Sequence, residues 1–209
     1  MDWSLFHALN GLMRHRDGVQ DAAEVFNALA IFGLIGIAGA TWFFARPGGS
    51  PRSKLAALSA AAAAALALLA NLALGHLWFH DRPFVDHPSQ TVLLVHHAPD
   101  NSFPSDHASV AFAAAFAVLA FHRRLGLVLA VAAAGVALAR IFVGVHYPVD
   151  VGASVLVGLA TAVFVTTLAH PYVAWTARQL GRLSDPLVAA VHLDFARARR
   201  SFRRRRIDR

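Results

Sequence analysis

The sequence contains no cysteine and little charge. With no cysteine among its 209 residues, a disulfide framework, a thiolate nucleophile and a cysteine-ligated metal site are all excluded. Charged residues make up only 15% of the chain, whereas 57% of it is hydrophobic and the mean hydropathy is +0.51. This composition is too apolar for an ordinary soluble domain, and the length suits only one domain. We therefore expect a single integral membrane domain.

The N-terminal segment also lacks a recognisable cleaved signal peptide. The run MDWSLFHALNGLMRHRDGVQD has no charged start followed by an apolar core, so the first span is expected to act as its own insertion signal. Trp3, Phe6, Leu9 and Met13 fall on one helical face. That pattern predicts an amphipathic helix in the membrane interface within residues 1–21.

Long apolar stretches follow. They cover residues 24–45, 55–79, 107–121, 125–146 and 149–170. A helix needs about 20 residues to cross the hydrocarbon core, so four of the stretches are long enough. The third is adequate only if FPSDH forms its first turn at the interface. The predicted fold is an all-α integral membrane protein of about five transmembrane helices, with a membrane domain over 22–170 and a basic tail over 171–209.

Basic residues predict the orientation of these spans. The segment RPGGSPRSK, the run HRR at 122–124 and the tail from Arg178 together hold 15 of the 19 lysines and arginines. Five spans place all three segments on one side, and the positive-inside rule makes that side cytoplasmic. The N-terminus and the loop 80–106 are then outside. We interpret the arginine-rich tail as a topology anchor or a contact for anionic lipid, and we expect no nucleic-acid partner.

Unusual polar residues occur on the predicted outer side of three different spans. They are Arg82, Ser105, Asp106, His107, Arg140, His146 and Asp150. An arginine within a span costs about 2.5–3.5 kcal/mol at the membrane centre on insertion scales, and less near the interface. One such residue is readily accommodated by snorkelling. Three clusters that meet at one membrane face indicate a functional site.

These residue types suit the chemistry of phosphate. Guanidinium groups bind phosphate oxygens in pairs and stay charged at any working pH, and the helix N-terminus after Pro104 offers free backbone N–H groups to an anion. Two histidines can divide phosphoryl transfer, one attacking phosphorus and the other protonating the leaving oxygen. Asp150 follows His146 by four residues, where its carboxylate can accept the imidazole N–H and fix the tautomer.

Three short motifs resemble those of the type 2 phosphatidic acid phosphatase family. RPF at 82–84, PSDH at 104–107 and RIFVGVHYPVD at 140–150 are similar to the family patterns KxxxxxxRP, PSGH and SRxxxxxHxxxD. The resemblance covers roughly residues 22–170. It implies that His146 is the nucleophile, His107 the general acid and Asp150 the group that orients His146. It also implies that Arg82, Arg140 and Ser105 hold the phosphate and that no metal or other cofactor is required.

The chain departs from the family patterns at three positions. Gly75 stands where the family has a lysine, Asp106 where it has a glycine, and Ala139 where it has a serine. The backbone N–H of Asp106 can still bind phosphate, provided that its carboxylate points away. The sequence leaves open whether His76, His80 or no residue replaces the lysine charge.

HLWFHDRPF and SFPSDHA resemble the bacterial undecaprenyl-diphosphate phosphatase branch of that family, which is associated with bacitracin resistance. This resemblance implies a multi-pass protein of the bacterial inner membrane with an extracytoplasmic site. Its expected substrate among the membrane lipids is the polyisoprenyl lipid undecaprenyl diphosphate, which would be hydrolysed to undecaprenyl phosphate through a phosphohistidine. The glycerolipids phosphatidic acid and phosphatidylglycerol phosphate are alternative substrates. A non-catalytic lipid-binding or transport protein with a relic site is a further alternative. The outer histidines also suggest a metal site, but the lack of cysteine and of an HExxH pattern argues against this interpretation.

Overall fold

Helices form almost all of the regular structure. The computed structural model describes residues 2–14, 17–44 and 51–207. The helices are α1 (Asp2–Gly11), α2 (Asp17–Ala40), α3 (Arg52–Leu77), α4 (Pro83–Asp86), α5 (Asp106–Phe121), α6 (Arg123–Phe142), α7 (Pro148–Thr167) and α8 (His170–Ile207). A 3-10 turn, Thr41–Phe44, extends α2. Within these described ranges no strand occurs, and the predicted all-α class is confirmed.

In the part of the chain that the structure describes, four helices are long and apolar enough to cross a membrane. They are α2 with its 3-10 extension, α3, α6 and α7, whereas α5 is a shorter apolar helix. This is the predicted pattern of four full spans and one short one. We call one end of the bundle the site end: there α3 and α6 terminate, and α5 and α7 begin. The opposite end, where α8 begins, is called the basic end.

Helix α5 is the centre of the bundle. It packs against α3, α6 and α7, and its residues from Ala108 to Ala115 are all buried. Alanine dominates this stretch, because small side chains let neighbouring helices approach closely where the hydrophobic effect between them is weak. Gly158 of α7 lies so near α5 that a Cβ there would be 2.7 Å from the Cβ of Phe112. The large apolar residues of the outer helices, such as Phe32 and Val131, are exposed instead and face the lipid.

Helix α5 starts below the ends of its neighbours. Asp106 at its first turn accepts a hydrogen bond from Asn71, six residues before the end of α3, at 2.7 Å. On the other side, Ser154 donates to the backbone oxygen of Ser105 at 3.0 Å. Ser154 lies six residues after the start of α7. At 1.5 Å per residue, α5 therefore begins ~9 Å inside the bundle.

Helix α6 ends earlier than the apolar pattern predicts. The apolar run to 146 predicts a helix that ends at His146, but α6 ends at Phe142. Gly144 has a φ of +87° and lies against the backbone oxygen of Val92, which a Cβ would approach to 2.4 Å. Glycine tolerates both the positive φ and the close approach. As a result, His146 lies in the connection between α6 and α7 rather than on a helix.

Helix α1 closes the site end. Its Asn10 donates to the backbone oxygens of Val92 and Phe142 at 2.8 and 2.9 Å and accepts from the Val92 N–H. The face predicted to be amphipathic packs on the bundle, with Phe6 buried against Tyr147. Helix α2 begins at Asp17, before the predicted boundary at residue 22.

Helix α8 returns to the basic end. Its Asp185 forms a salt bridge with Lys54 at the start of α3, and its Ser184 accepts a hydrogen bond from the Trp42 indole at 3.1 Å. The segment predicted as a basic tail is therefore helical and begins in contact with the bundle. Arg46, in the first basic segment, lies outside the described residues, as do Arg209 and the side chains of the basic residues from Arg197 onward.

Candidate active site

The two ring nitrogens of His146 face opposite kinds of groups. Nδ1 is 3.3 Å from the hydroxyl of Ser102 and 3.7 Å from Oδ2 of Asp150, whereas Nε2 is 3.3 Å from Nη1 of Arg82. A guanidinium only donates, so Nε2 presents its lone pair to it and Nδ1 carries the proton. Burial lowers the pKa of His146 to about 4, with Asp150 opposing this shift and Arg140 and Arg82 adding to it. The imidazole is therefore neutral at neutral pH, with its lone pair on the arginine side.

Asp150 lies behind this histidine and is completely buried. Its Oδ2 accepts the hydroxyl of Ser102 at 2.5 Å and the backbone N–H of Tyr147 at 2.8 Å. The second bond caps the first turn of α7, which explains why a carboxylate occurs just after the start of this helix. At 3.7 Å, the distance from Nδ1 of His146 to Oδ2 of Asp150 is too long for a direct hydrogen bond. The hydroxyl of Ser102 bridges the two.

Arg82 precedes α4 and is held from three sides. Its Nε donates to Asp100 at 2.8 Å, and its Nη1 and Nη2 donate to the backbone oxygens of Val145 and Asn101 at 2.9 and 3.1 Å. Although burial acts to raise the pKa of Asp100, the contact with Arg82 outweighs it and the pKa is lowered. A guanidinium has five N–H groups. Besides its bond to Val145, Nη1 lies 3.3 Å from Nε2 of His146, so the charge of Arg82 is next to this histidine.

Arg140 and Ser105 carry buried polar atoms without a partner. Arg140 is 3% exposed, and its Nη1 donates to Oδ1 of Asn27 on α2 at 2.8 Å. Its Nε and the hydroxyl of Ser105 are buried and have no hydrogen-bond partner within the described part of the chain. Ser105 does not use its side chain to cap α5, as a purely structural interpretation would require. Buried polar groups almost always have a hydrogen-bond partner, so two unpaired donors are unusual. Both are free to donate a hydrogen bond to a bound oxyanion.

His107 and Asp106 lie at the start of α5. His107 is partly exposed and close enough to Arg140, Asp106 and Arg82 for their charges to act on it. The carboxylate of Asp106 is held by Asn71, whose Oδ1 accepts from Ser109 at 3.1 Å. The side chain of Asp106 is thereby turned towards α3.

The position of the missing lysine is occupied by a different network. The side-chain amide of Asn101 donates to the backbone oxygens of Gly75 and Trp78, at 3.0 and 3.1 Å, and its oxygen accepts the N–H groups of His80 and Phe103, each at 3.0 Å. A Cβ at Gly75 would be 3.0 Å from this amide. His76 is exposed, while Nδ1 of His80 contacts Asp150 at 2.8 Å.

Sequence reasoning missed several residues of this site. They are Asn27, Asp100, Asn101 and Ser102, and for His80 it missed the contact with Asp150. Ser102 lies only three residues before Ser105, yet nothing in the local pattern separates it from an ordinary loop serine. Among the described residues, no group of three or more histidine and acidic side chains is arranged to hold a metal ion. The histidine-cluster alternative thus has no donor set among the described residues.

A helical bundle whose described part has four spans, with a histidine, a carboxylate and two arginines gathered at one end, has the features of a multi-pass membrane protein with a polar site. A sequence model of the PAP2 superfamily matches residues 56–173. The chain belongs to this superfamily, whose members are phosphatases, and it is a hydrolase of phosphoric esters or anhydrides.

Two curated relatives indicate which branch of the superfamily this chain resembles. Undecaprenyl-diphosphatase BcrC of Bacillus subtilis (strain 168) is 36% identical over 162 residues, which are 76% of this chain and 79% of the relative. Bacitracin transport permease protein BcrC of Bacillus licheniformis is 38% identical over 114 residues, 54% of this chain and 52% of the relative. Both agree with the predicted bacitracin-resistance branch.

The fold is similar to that of a solved structure. The crystal structure of Aquifex aeolicus LpxE matches with a TM-score of 0.62 at 22% identity, covering 78% of this chain and 93% of that chain. At this identity the likeness concerns the fold alone.

Proposed function

We propose that this protein hydrolyses the terminal phosphate of undecaprenyl diphosphate, releasing undecaprenyl phosphate and inorganic phosphate through a phosphohistidine intermediate. The observation that carries the proposal is the orientation of His146, whose Nε2 lone pair faces the guanidinium of Arg82 while Nδ1 faces Ser102 and Asp150. A neutral imidazole that points its free nitrogen at a buried positive group is arranged to attack a bound phosphate.

In the first step, Nε2 of His146 attacks the terminal phosphorus. A P–N bond forms and the bond to the bridging oxygen breaks, so that undecaprenyl phosphate departs. Arg82, Arg140, the hydroxyl of Ser105 and the backbone N–H of Asp106 stabilise the charge on the equatorial oxygens. His107 donates a proton to the leaving oxygen.

In the second step, His107 accepts a proton from water, which attacks the phosphohistidine. The P–N bond breaks, inorganic phosphate leaves and His146 regains its lone pair. During both steps the carboxylate of Asp150, directly and through Ser102, stabilises the positive charge that develops on the imidazole. These roles for His146, His107, Asp150, Arg82 and the other phosphate-binding residues belong to the proposal.

The site end faces the extracytoplasmic side of a bacterial plasma membrane in this proposal. Support comes from the excess of basic residues at the opposite end and the positive-inside rule. The lipid tail then stays among the spans while its diphosphate enters the site from the membrane surface. The basic segment that follows α7 is on the cytoplasmic side.

Phosphate release from purified protein tests the proposal. The panel consists of undecaprenyl diphosphate, undecaprenyl phosphate, phosphatidic acid and phosphatidylglycerol phosphate in mixed micelles, each with EDTA and with vanadate. We expect turnover of the diphosphate to survive EDTA and to be blocked by vanadate, because arginines rather than a metal hold a trigonal-bipyramidal oxyanion. A preference for a glycerolipid would show that undecaprenyl diphosphate is not the substrate. Loss of activity in EDTA, with rescue by zinc or magnesium, would overturn the metal-free mechanism. No release from any substrate would leave the lipid-binding or transport alternative, which the name of the Bacillus licheniformis relative also mentions.

A further inference from the structure

The carboxylate of Asp150 contacts two histidines, not one. Nδ1 of His80 lies 2.8 Å from Oδ1, while Oδ2 accepts from Ser102 and Tyr147 and faces His146. The two oxygens therefore have separate partners. Among the residues that the structure describes, His80 is the only one that donates to Oδ1.

We propose that His80 is a positioning residue for phosphoryl transfer, acting on His146 through Asp150. This inference rests on the proposed function and goes beyond it, since His80 has no part in binding or transferring the phosphate there. A carboxylate accepts but does not donate when ionised, so Nδ1 of His80 carries a proton in this contact. Its N–H determines which way the plane of the carboxylate lies.

Burial makes this contact necessary. Asp150 is 0% exposed, so water cannot satisfy Oδ1, and a buried oxygen without a donor is strongly unfavourable. Without the His80 N–H, the carboxylate gains by turning towards other donors or by taking up a proton. Either change alters the position or the charge of Oδ2 next to Ser102 and His146. The carboxylate then stabilises the positive imidazole less well.

His80 is itself held in place for this contact. Its backbone N–H donates to Asn101 at 3.0 Å, and its backbone oxygen accepts from the N–H of Ser102 at 2.8 Å. Its ring stacks on Tyr147 with the centroids 5.0 Å apart. These contacts join the segment before Arg82 to the turn after His146. The ring thus has two functions, a hydrogen bond to Asp150 and a stacking contact with Tyr147.

Two substitutions separate these functions. His80→Phe keeps the stacked ring and removes the N–H, whereas His80→Asn loses the ring but keeps a donor at the position of Nδ1. We expect His80→Phe to lower kcat about 10- to 100-fold, by analogy with partners that orient metal-bound histidines. KM should change less than about threefold, because His80 does not touch the phosphate. His80→Asn should retain most of the wild-type kcat. His96→Phe, at an exposed histidine in the same outer segment, is the matched control and should leave both constants unchanged.

A double-mutant cycle tests whether His80 acts through Asp150. In an Asp150→Asn background, His80→Phe should change kcat by less than about twofold, because interacting residues are non-additive. Wild-type turnover in the same assay separates this inference from the proposed function. If the wild type hydrolyses a lipid phosphate but His80→Phe keeps full kcat, only the positioning role is wrong. The same holds if His80→Asn is as impaired as His80→Phe, or if the two substitutions are additive with Asp150→Asn. An inactive wild type would overturn both.

Discussion

Arg140 of α6 is bound by Asn27 of α2, with Nη1 donating to Oδ1 over 2.8 Å. Asn27 lies outside the residues matched by the family model, so a helix beyond that match orients one of the two buried arginines. This contact gives α2 a direct influence on the proposed phosphate site.

We expect Asn27→Ala to lower kcat/KM by about tenfold or more, because a hydrogen bond to a charged group contributes about 1.5–3 kcal/mol. The measurement is steady-state phosphate release, with thermal unfolding of the detergent-purified variant alongside. Leu29→Ala removes a lipid-facing side chain from the same helix and should leave kcat/KM near the wild-type value. Equal losses in the two variants would mean that α2 acts only through general stability.

Arg82 is expected not to tolerate lysine. A lysine can supply a positive charge but not the fork that reaches Asp100, Val145 and Asn101 at once, and the two side chains differ in donor geometry. Arg82→Lys should lower kcat about 10²–10³-fold, the usual loss for one donor to a developing oxyanion. Arg124→Lys at the basic end should be neutral. Substantial turnover by Arg82→Lys would show that charge alone is sufficient at this position.

The two histidines should respond differently to the leaving group. General acid catalysis contributes typically ~10²–10⁴-fold and matters less when the leaving oxygen departs easily as an anion. His107→Ala should therefore retain more activity on an activated aryl phosphate or a diphosphate than on a phosphate monoester with an alkoxide leaving group. His146→Ala should lose all three activities alike, together with any acid-labile phosphoprotein. If His146→Ala alone shows the leaving-group dependence, the roles are reversed.

The acid limb of the pH profile should lie unusually low. An imidazole attacks only when it is unprotonated, and burial sets the pKa of His146 to about 4 rather than 6.5. The free enzyme should therefore keep its nucleophile as the pH falls to about 5 and lose it through about 4, which kcat/KM reports. pH profiles should be measured on two substrates whose phosphates have different pKa values. The limb that stays at the same pH with both substrates belongs to the enzyme. Activity regained on return to neutral pH excludes unfolding, and an enzyme limb near 6.5 would contradict the neutral, buried histidine.

The orientation can be tested with a single introduced thiol. Ser89 is exposed at the site end, and the chain has no other cysteine to react. Ser89→Cys should be labelled in intact cells by a membrane-impermeant reagent, whereas Gln179→Cys on α8 should be labelled only after lysis. The reverse pattern would place the site in the cytoplasm.

Composition predicted the spans well because the length of an apolar run directly determines whether a helix can cross a membrane. It could not predict where α6 ends, since Val143 and Val145 continue the apolar run while Gly144 turns the chain. The need for glycine at this position comes from the backbone of Val92, which packs too closely for a side chain. Hydropathy does not register such a contact.

The site shows the same division. Motif spacing brought Arg82, His146 and Asp150 to attention, and the structure has Arg82 and Asp150 on opposite sides of the imidazole. Ser102 and His80 reach Asp150 across 48 and 70 residues of sequence. Such contacts depend on how the segment between α3 and α5 folds, which no local pattern encodes.

Because α5 begins ~9 Å inside the bundle, the proposed function requires the phosphate to pass between the ends of α3 and α7 before it reaches Ser105 and His107. Helix α5 has 16 residues, about 24 Å at 1.5 Å per residue, and the hydrocarbon core is about 30 Å thick. The depth of the reacting phosphorus is thus set by a helix too short to match the bilayer, while the lipid tail is anchored by the bilayer itself. If this protein acts as proposed, membrane thickness is therefore a variable of the reaction: a thicker leaflet raises the headgroup away from the start of α5, and a thinner one lowers it towards that helix.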